Sequence, residues 1–250
     1  IHVILKAEQL GQLWGIPITN SLVMTWLVMV LLFVFVFFVN RAIRMKPGGV
    51  QTLLEFGVEG AIAYMAETLE DVKLAKRFFP LLATMFFFIL VGNELEFFPG
   101  VGSIGFNLPD GFAPLLRAPA TDLNTTLALT IISVIVIEVS GIVALGFFRY
   151  AGKFINFSGP INFVVGLIEL ISEVARLVTF SFRLFGNIFA GEVLIIAMFV
   201  PYVLPAPFML FEMFVGFVQA VIFALLTLFF IKLAVTAPHS DEAHAPQATH

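Results

Sequence analysis

Cysteine is missing from all 250 positions. Its absence excludes disulfides, thiolate zinc sites and cysteine nucleophiles. Charge is also scarce: Asp, Glu, Lys and Arg make up 12% of the chain, about half the share of a soluble domain. Histidine occurs four times, and His239, His244 and His250 fall in a polar stretch at the end. Their irregular spacing in a solvated tail argues against a metal site. No HExxH or GxSxG pattern occurs, so metalloprotease and serine-hydrolase chemistry has no support. No cofactor is implied. Nothing resembles a cleavable signal at the start, because the polar opening with His2, Lys6 and Glu8 precedes a span too long for one. The chain opens on Ile1 rather than methionine, so the expectation is that the natural N-terminus is missing or processed.

What is plentiful is apolar surface. Hydrophobic residues make up 60% of the chain, 31 of them Phe, and the mean hydropathy is +1.04. One core in water cannot hide that much, so the solvent must be lipid. The expectation is an all-α polytopic membrane protein with a single membrane domain: five transmembrane helices, one interfacial amphipathic helix, and a long tilted hairpin formed by the last two spans. Leu22–Val39 carries no charge and is long enough to cross about 30 Å of hydrocarbon. Residues 1–20 read as a short polar lead. Arg41, Arg44, Lys46 and the Pro47-Gly48-Gly49 breaker end the first span. From Val50 to Val72 apolar residues recur at helical spacing (Val50, Leu54, Val58, Ala61, Met65, Leu69), with Gln51, Glu55, Glu59, Glu67 and Glu70 off that stripe, which predicts an interfacial helix. It ends in Lys73, Lys76 and Arg77.

Phe78–Phe98 is the second span, with Asn93, Glu94 and Glu96 at a polar exit. Residues 99–120 read as a Gly/Pro-rich loop. Thr121-Asp122-Leu123-Asn124 is a helix start. The third span, Thr125–Phe148, carries a small-residue stripe of Thr126, Thr130, Ser133, Ser140 and Gly141 that predicts close helix packing. Ile161–Val200 is the fourth span, about 60 Å long if wholly helical. Phe208–Val235 is the fifth, and residues 237–250 form a polar tail. Basic residues cluster on one side (Arg41, Arg44, Lys46, Lys73, Lys76, Arg77, Arg149, Lys153, Lys232), while the other receives only Lys6 and Arg117. The positive-inside rule then puts the N-terminus outside and the C-terminus in the cytoplasm.

The fourth span is the anomaly. An ionisable group at membrane depth costs at least about 2.5–3.5 kcal/mol, and this makes it a functional candidate by default. Glu169, Arg176, Arg183 and Asn187 share one helix face; Glu192 points roughly opposite. Arg183 has apolar neighbours and cannot shed its charge. On the fifth span Glu212, Gly216, Gln219 and Thr227 share a face. If the turn centres near Pro201–Tyr202, Arg183 matches Gln219 in depth, and Glu192 matches Glu212 about 13 Å nearer the outside. Glu169 and Glu173 lie on the cytoplasmic side. Carboxylates below, a permanent cation in the middle and carboxylates above on another azimuth look like two aqueous half-paths that do not meet. Glu173 and Arg176 at i, i+3 read as a structural ion pair. Glu138 reads either as a buried protonated acid or as an access-route group. A secondary proton-coupled transporter is the alternative class, but no pair of broken helices in matching halves supports it.

Arg183-Leu184-Phe185-Gly186-Asn187 followed by Ala190-Gly191-Glu192 resembles the motif of subunit a of the F-type ATP synthase. So do Pro160-Ile161-Asn162 leading to Glu169, Ala120-Thr121-Asp122-Leu123-Asn124, and Gln219-Ala220-Val221-Ile222-Phe223. The likeness covers about residues 12–235. It implies a proton-translocating stator subunit that is not catalytic alone, in a bacterial plasma membrane. Its implied partners are a rotating ring of c subunits, b-type peripheral-stalk subunits, other ATP synthase subunits and the bilayer, with no nucleic acid. It implies that Arg183 faces the ring carboxylate, that Glu192, Glu212, Gln219 and Asn187 line or support an outer half-channel, and that Glu169 and Glu173 line a cytoplasmic one. Glu138, Asp122, Arg176 and Glu96 are access or support candidates. Some members put His where this chain has Glu212.

Overall fold

The structure is a computed structural model that describes residues 8–13, 15–45, 48–98, 101, 104–108, 111–154, 160–198 and 205–236. The tail with its three histidines and the turn around Pro201–Tyr202 lie outside the described residues. Helices dominate: α1 (Asn20–Ala42), α2 (Gly49–Leu69), α3 (Val72–Glu94), α4 (Leu123–Leu145), α5 (Phe147–Phe154), α6 (Pro160–Met198) and α7 (Pro205–Val235). Among the described residues, four stretches are long and apolar enough to cross a membrane: Asn20–Ala42, Val72–Phe97, Leu123–Leu145 and Ala206–Val235. The chain is a multi-pass membrane protein. The 39-residue α6, expected as a further span, stands outside those four.

The mostly helical chain fits the expected all-α class, but two stretches expected to be irregular are not. Residues expected as a polar lead form an antiparallel hairpin, β1 (Gln9–Leu13) with β2 (Ile16–Thr19). Part of the expected Gly/Pro-rich loop forms a second, β3 (Gly105–Leu108) with β4 (Gly111–Pro114). Such strands are too short to show a period against the helical signal around them. In the first, Gly15 takes φ +83°, a left-handed conformation that glycine enters at no steric cost.

Two helix boundaries also move. Lys73, Lys76 and Arg77 begin α3 instead of ending α2, because Glu70 turns the chain at φ 58° and Asp71 caps the next helix, accepting from the Lys73 and Leu74 amides at 2.7 and 3.3 Å. The third span stops at Leu145 instead of Phe148. Gly146 caps it at φ +84°, and the chain re-enters helix as the unexpected α5.

Helices α3 and α7 make the most extensive contact and form the centre of the bundle. One apolar cluster joins Met65 and Leu69 of α2, Ala75 and Leu82 of α3, Ile137 of α4, and Leu228, Ile231 and Ala234 of α7. A second joins Met85 and Ile89 of α3, Leu184 and Ile188 of α6, and Ala220 and Phe223 of α7. The small-residue stripe of α4 is the contact it was read to be. Thr126, Thr130 and Ser133 are fully buried. The Thr126 and Ser181 hydroxyls meet at 3.3 Å across α4 and α6, and the Ser133 hydroxyl donates to Met85 Sδ at 3.4 Å across α4 and α3. On α2 the lower part of the apolar stripe holds, with Met65 and Leu69 buried, while Val50 is 77% exposed.

Candidate functional site

The polar residues gather at two ends of the bundle. Helices α6 and α7 run past one another with Gly191 against Glu212, Phe180 against Phe223 and Arg176 against Phe230. At the first end, where α4 begins, the Glu212 carboxylate lies directly on the Cα of Gly191, so close that a β-carbon there would overlap it. Glu212 is 4% exposed, and neither carboxylate oxygen has a hydrogen-bond partner among the described residues. Asn93 and Glu94 of α3 come against Gly216 one turn along. Glu192 also reaches this end but turns to Arg117, whose Nη2 donates to Glu192 Oε2 at 2.9 Å. Glu96 lies within electrostatic reach of Glu192, Glu212 and Arg117.

Arg117 is held by a rigid platform. Residues 118–121 are buried, the Thr121 hydroxyl donates to the Ala118 carbonyl at 2.8 Å, and Pro119 packs on Gly92 of α3. Asp122 follows. Its carboxylate caps α4 through the Asn124 amide at 2.9 Å and accepts from the Ser21 hydroxyl of α1 at 2.7 Å. Asp122 is thus a structural tie between two helices. Glu8 comes to the same end from the N-terminal hairpin. Burial pushes its carboxyl above the usual range, partly offset by Arg117 and reinforced by Glu192.

At the second end, where α4 stops and α6 begins, the Glu173–Arg176 pair forms as read, at 2.7 Å. The Arg176 guanidinium also sits 3.8 Å from the centroid of the Phe230 ring on α7, a cation–π contact. Glu138 accepts from the Tyr150 hydroxyl of α5 at 3.0 Å, and its other oxygen is buried without a partner among the described residues. Burial, then the bond to Glu138, pushes the Tyr150 hydroxyl above its usual range, so it stays a neutral donor. Its ring lies on Gly141, where a β-carbon would collide with it. Glu169 is half-buried on α6.

Arg183 lies between the ends. It is half-buried, and no carboxylate comes within ion-pair distance of it among the described residues; its guanidinium stands 6.0 Å from the Phe180 ring centroid. Asn187 is exposed one turn further along α6, and Gln219 is 8% exposed on α7. Beside Arg183, α6 leaves Ile171, Val174, Val178 and Phe182 46–61% exposed.

The chain matches the model of a known family, described as the ATP synthase A chain, over residues 22–232. The chain belongs to that family. It is 33% identical over 228 residues to ATP synthase subunit a of Moorella thermoacetica, covering 90% of this chain and 95% of that one. ATP synthase subunit a 1 of Pelobacter propionicus is 34% identical over 225 residues, with 88% and 89% covered. ATP synthase subunit a of Campylobacter jejuni is 33% identical over 210 residues, with 82% and 84% covered. The sequence alone did not single out Glu8, Arg117 and Tyr150 as site residues. For Arg117 a signal existed: the positive-inside reading left only Lys6 and Arg117 apart from the basic clusters.

Proposed function

We propose that this chain is the proton-translocating stator subunit of the membrane sector of an F-type ATP synthase, an ion-channel subunit that is not catalytic alone. In this reading α6 is a fifth span, tilted and paired with α7 as a hairpin. The N-terminus lies outside a bacterial plasma membrane and the C-terminus in the cytoplasm. The end holding Arg117 is the outer half-channel, through Glu192, Glu212, Gln219 and Asn187. The end holding Glu173 and Glu169 is the cytoplasmic half-channel. The exposed apolar face of α6 meets the ring of c subunits, and b-type stalk subunits hold the assembly still.

The observation that carries the reading is Arg183. A cation that cannot be neutralised stands half-buried on an apolar helix with no carboxylate within ion-pair distance among the described residues, although each end of the bundle holds several. An arginine kept for structure would be paired, as Arg117 and Arg176 are. An unpaired one is suited to a carboxylate carried past it by a partner. It attracts that group in its ionised form and repels protons that would otherwise cross between the half-paths.

The test is ATP synthesis alongside passive proton permeability in vesicles stripped of the catalytic sector. Arg183→Ala should lose coupled synthesis by at least about tenfold, the equivalent of about 1.4 kcal/mol, while leak is unchanged or rises. Arg183→Lys should recover little, since lysine offers a point charge that burial can neutralise. Normal synthesis in Arg183→Ala would show the reading to be wrong.

A further inference from the structure

Glu138 stands within the apolar span α4, about 10 Å in from its end at Leu145. An ionisable group at that depth is expensive, and this points to function. Resting on the function proposed above, we propose that Glu138 is a proton-exchanging carboxylate of the cytoplasmic half-channel, reached from the α4 and α5 side, and that Tyr150 is the positioning residue that holds it.

Three neighbours fix the pair. Gly146 takes φ +84° and turns the chain so that α5 returns onto α4. Gly141 has no side chain, and the Tyr150 ring lies directly on it. Phe154 meets that ring edge-on, with centroids 5.7 Å apart. Tyr150 is left 4% exposed, and its hydroxyl donates to Glu138 Oε2 at 3.0 Å. The other oxygen, Oε1, is buried without a hydrogen-bond partner among the described residues. Holding α5 in place needs only an acceptor for the tyrosine hydroxyl, and an uncharged amide would serve. A carboxyl brings a second buried oxygen whose unmet bonding costs free energy. Taking a proton on Oε1 satisfies that oxygen while Oε2 keeps its bond to Tyr150. In ATP-driven pumping the Glu138 carboxylate takes a proton from cytoplasmic water and becomes a neutral acid. It returns to carboxylate by giving the proton to water of the inner half-path beside Glu173; in synthesis the step runs backwards. Tyr150 keeps its own proton throughout. The charged groups facing the pair are Glu173 and Arg176 of α6. Helices α3 and α7 bring apolar groups, Leu82, Leu228 and Ile231, to the adjoining Ile137.

The experiment uses the whole ATP synthase in inverted membrane vesicles, whose bath is the cytoplasmic side. It reads ATP-driven proton pumping per assembled complex against bath pH, with hydrolysis by the detached catalytic sector as the reference profile. Glu138→Gln keeps an oxygen for Tyr150 and removes the exchangeable proton. Pumping should fall about threefold or more, less than the loss of a lone proton-transfer group would cost, because Glu173 and Glu169 remain. Glu138→Asp keeps the carboxyl on a side chain a methylene too short for the Tyr150 hydroxyl, and should pump better than Glu138→Gln. A purely structural role gives the opposite order. Tyr150→Phe keeps the ring on Gly141 and removes only the hydroxyl. Its pumping profile should move by about half a pH unit or more, the effect of one hydrogen bond on a titrating group. The proposal is overturned if Glu138→Gln pumps as the wild type does, if Glu138→Asp pumps no better than Glu138→Gln, or if Tyr150→Phe keeps the wild-type profile. Tyr150→Phe decides alone where the Glu138 variants fail to assemble. Failure of the underlying reading looks different: Arg183→Ala would then synthesise ATP normally, whereas failure of this proposal leaves Arg183→Ala inactive.

Discussion

The two polar ends of the bundle are built on opposite plans. At the Tyr150 end the bonds close near home in sequence: Glu173 and Arg176 lie one turn apart, and Tyr150 reaches Glu138 twelve residues back, although the second Glu138 oxygen has no partner among the described residues. At the Arg117 end the groups come from the N-terminal segment, the end of α3, the turn before α4, α6 and α7. Arg117 and Glu192 are 75 residues apart in sequence, and the carboxylate oxygens of Glu212 are left without partners. The first plan fixes one oxygen of Glu138 and leaves the other open, and the second leaves the whole Glu212 carboxyl free to change its charge. A protein that needs a fixed scaffold and an exchangeable proton has reason to keep both.

The sharpest way to break this contrast is to remove one member of the ion pair at each end. Arg117→Ala leaves the half-buried Glu192 beside Glu212 and Glu96 without its ion-pair partner, and should cost up to about 3 kcal/mol, the lower end for a buried pair. Glu173→Gln leaves Arg176 on the Phe230 ring and should cost about 1 kcal/mol or less. Thermal unfolding of the detergent-solubilised complex compares them. Equal costs would mean that the two ends do not differ as described.

The glycines that receive a side chain at each end give a smaller and more selective effect. Gly141→Ala puts a methyl group into the Tyr150 ring, which must swing away and lose Glu138; overpacking of this kind costs about 1–3 kcal/mol. Gly191→Ala meets only the mobile end of Glu212, which can swing aside without breaking a hydrogen bond. The melting temperature should therefore fall in the first variant and hold in the second, while proton pumping falls in the second. A Gly191→Ala protein that pumped normally would argue that the Glu212 position at Gly191 has no part in transport.

The same contrast explains what could be read from the chain. The Glu173–Arg176 pair, the Asp122 cap and the Thr126–Ser133 stripe were legible because each rests on residues within a turn or two on one helix, where spacing dictates contact. So was the matched depth of Glu192 and Glu212, which follows from rise per residue along two facing helices. Arg117 was counted as a stray cation, because its partner comes from another helix and no local pattern announces it. The bond from Ser21 to Asp122 spans 101 residues and was invisible for the same reason. Helix α5 was absorbed into its neighbour because Gly146 shows its left-handed turn only in three dimensions.

Glu8 sharpens the comparison at the rim of the Arg117 end. Its carboxyl titrates above the ordinary range chiefly because of burial, so the folded arrangement favours the neutral acid. The stability it contributes is present below its unfolded value of about 4.5 and is lost as pH rises through the raised value. Glu8→Gln should therefore slow hydrogen exchange in the hairpin at residues 9–19 at pH 7, and make no difference at pH 4. Faster exchange at pH 7 would mean that Arg117 outweighs burial there.

The smallest effect is expected where α2 meets α7. Lys232 Nζ donates to Glu70 Oε1 at 2.8 Å, with side chains 33% and 78% exposed. The geometry is as short as that of the Arg117–Glu192 pair, so distance alone would rank the two as equals. Exposure decides otherwise: water screens both charges, and two long side chains lose freedom to hold one arrangement. The bond to Lys232 lowers the Glu70 carboxyl below its ordinary range, so the sign is opposite to that of Glu8. Its contribution is present above the unfolded value of about 4.5 and is lost as pH falls through the lowered one. At pH 7 and moderate salt Glu70→Gln should leave the melting temperature within error. Any difference should emerge only at low ionic strength, where screening is weak, and should vanish in acid. A large loss at moderate salt would mean that this corner is buried against another subunit in the assembled complex, and that the charge pairing seen at the two ends has a third counterpart here.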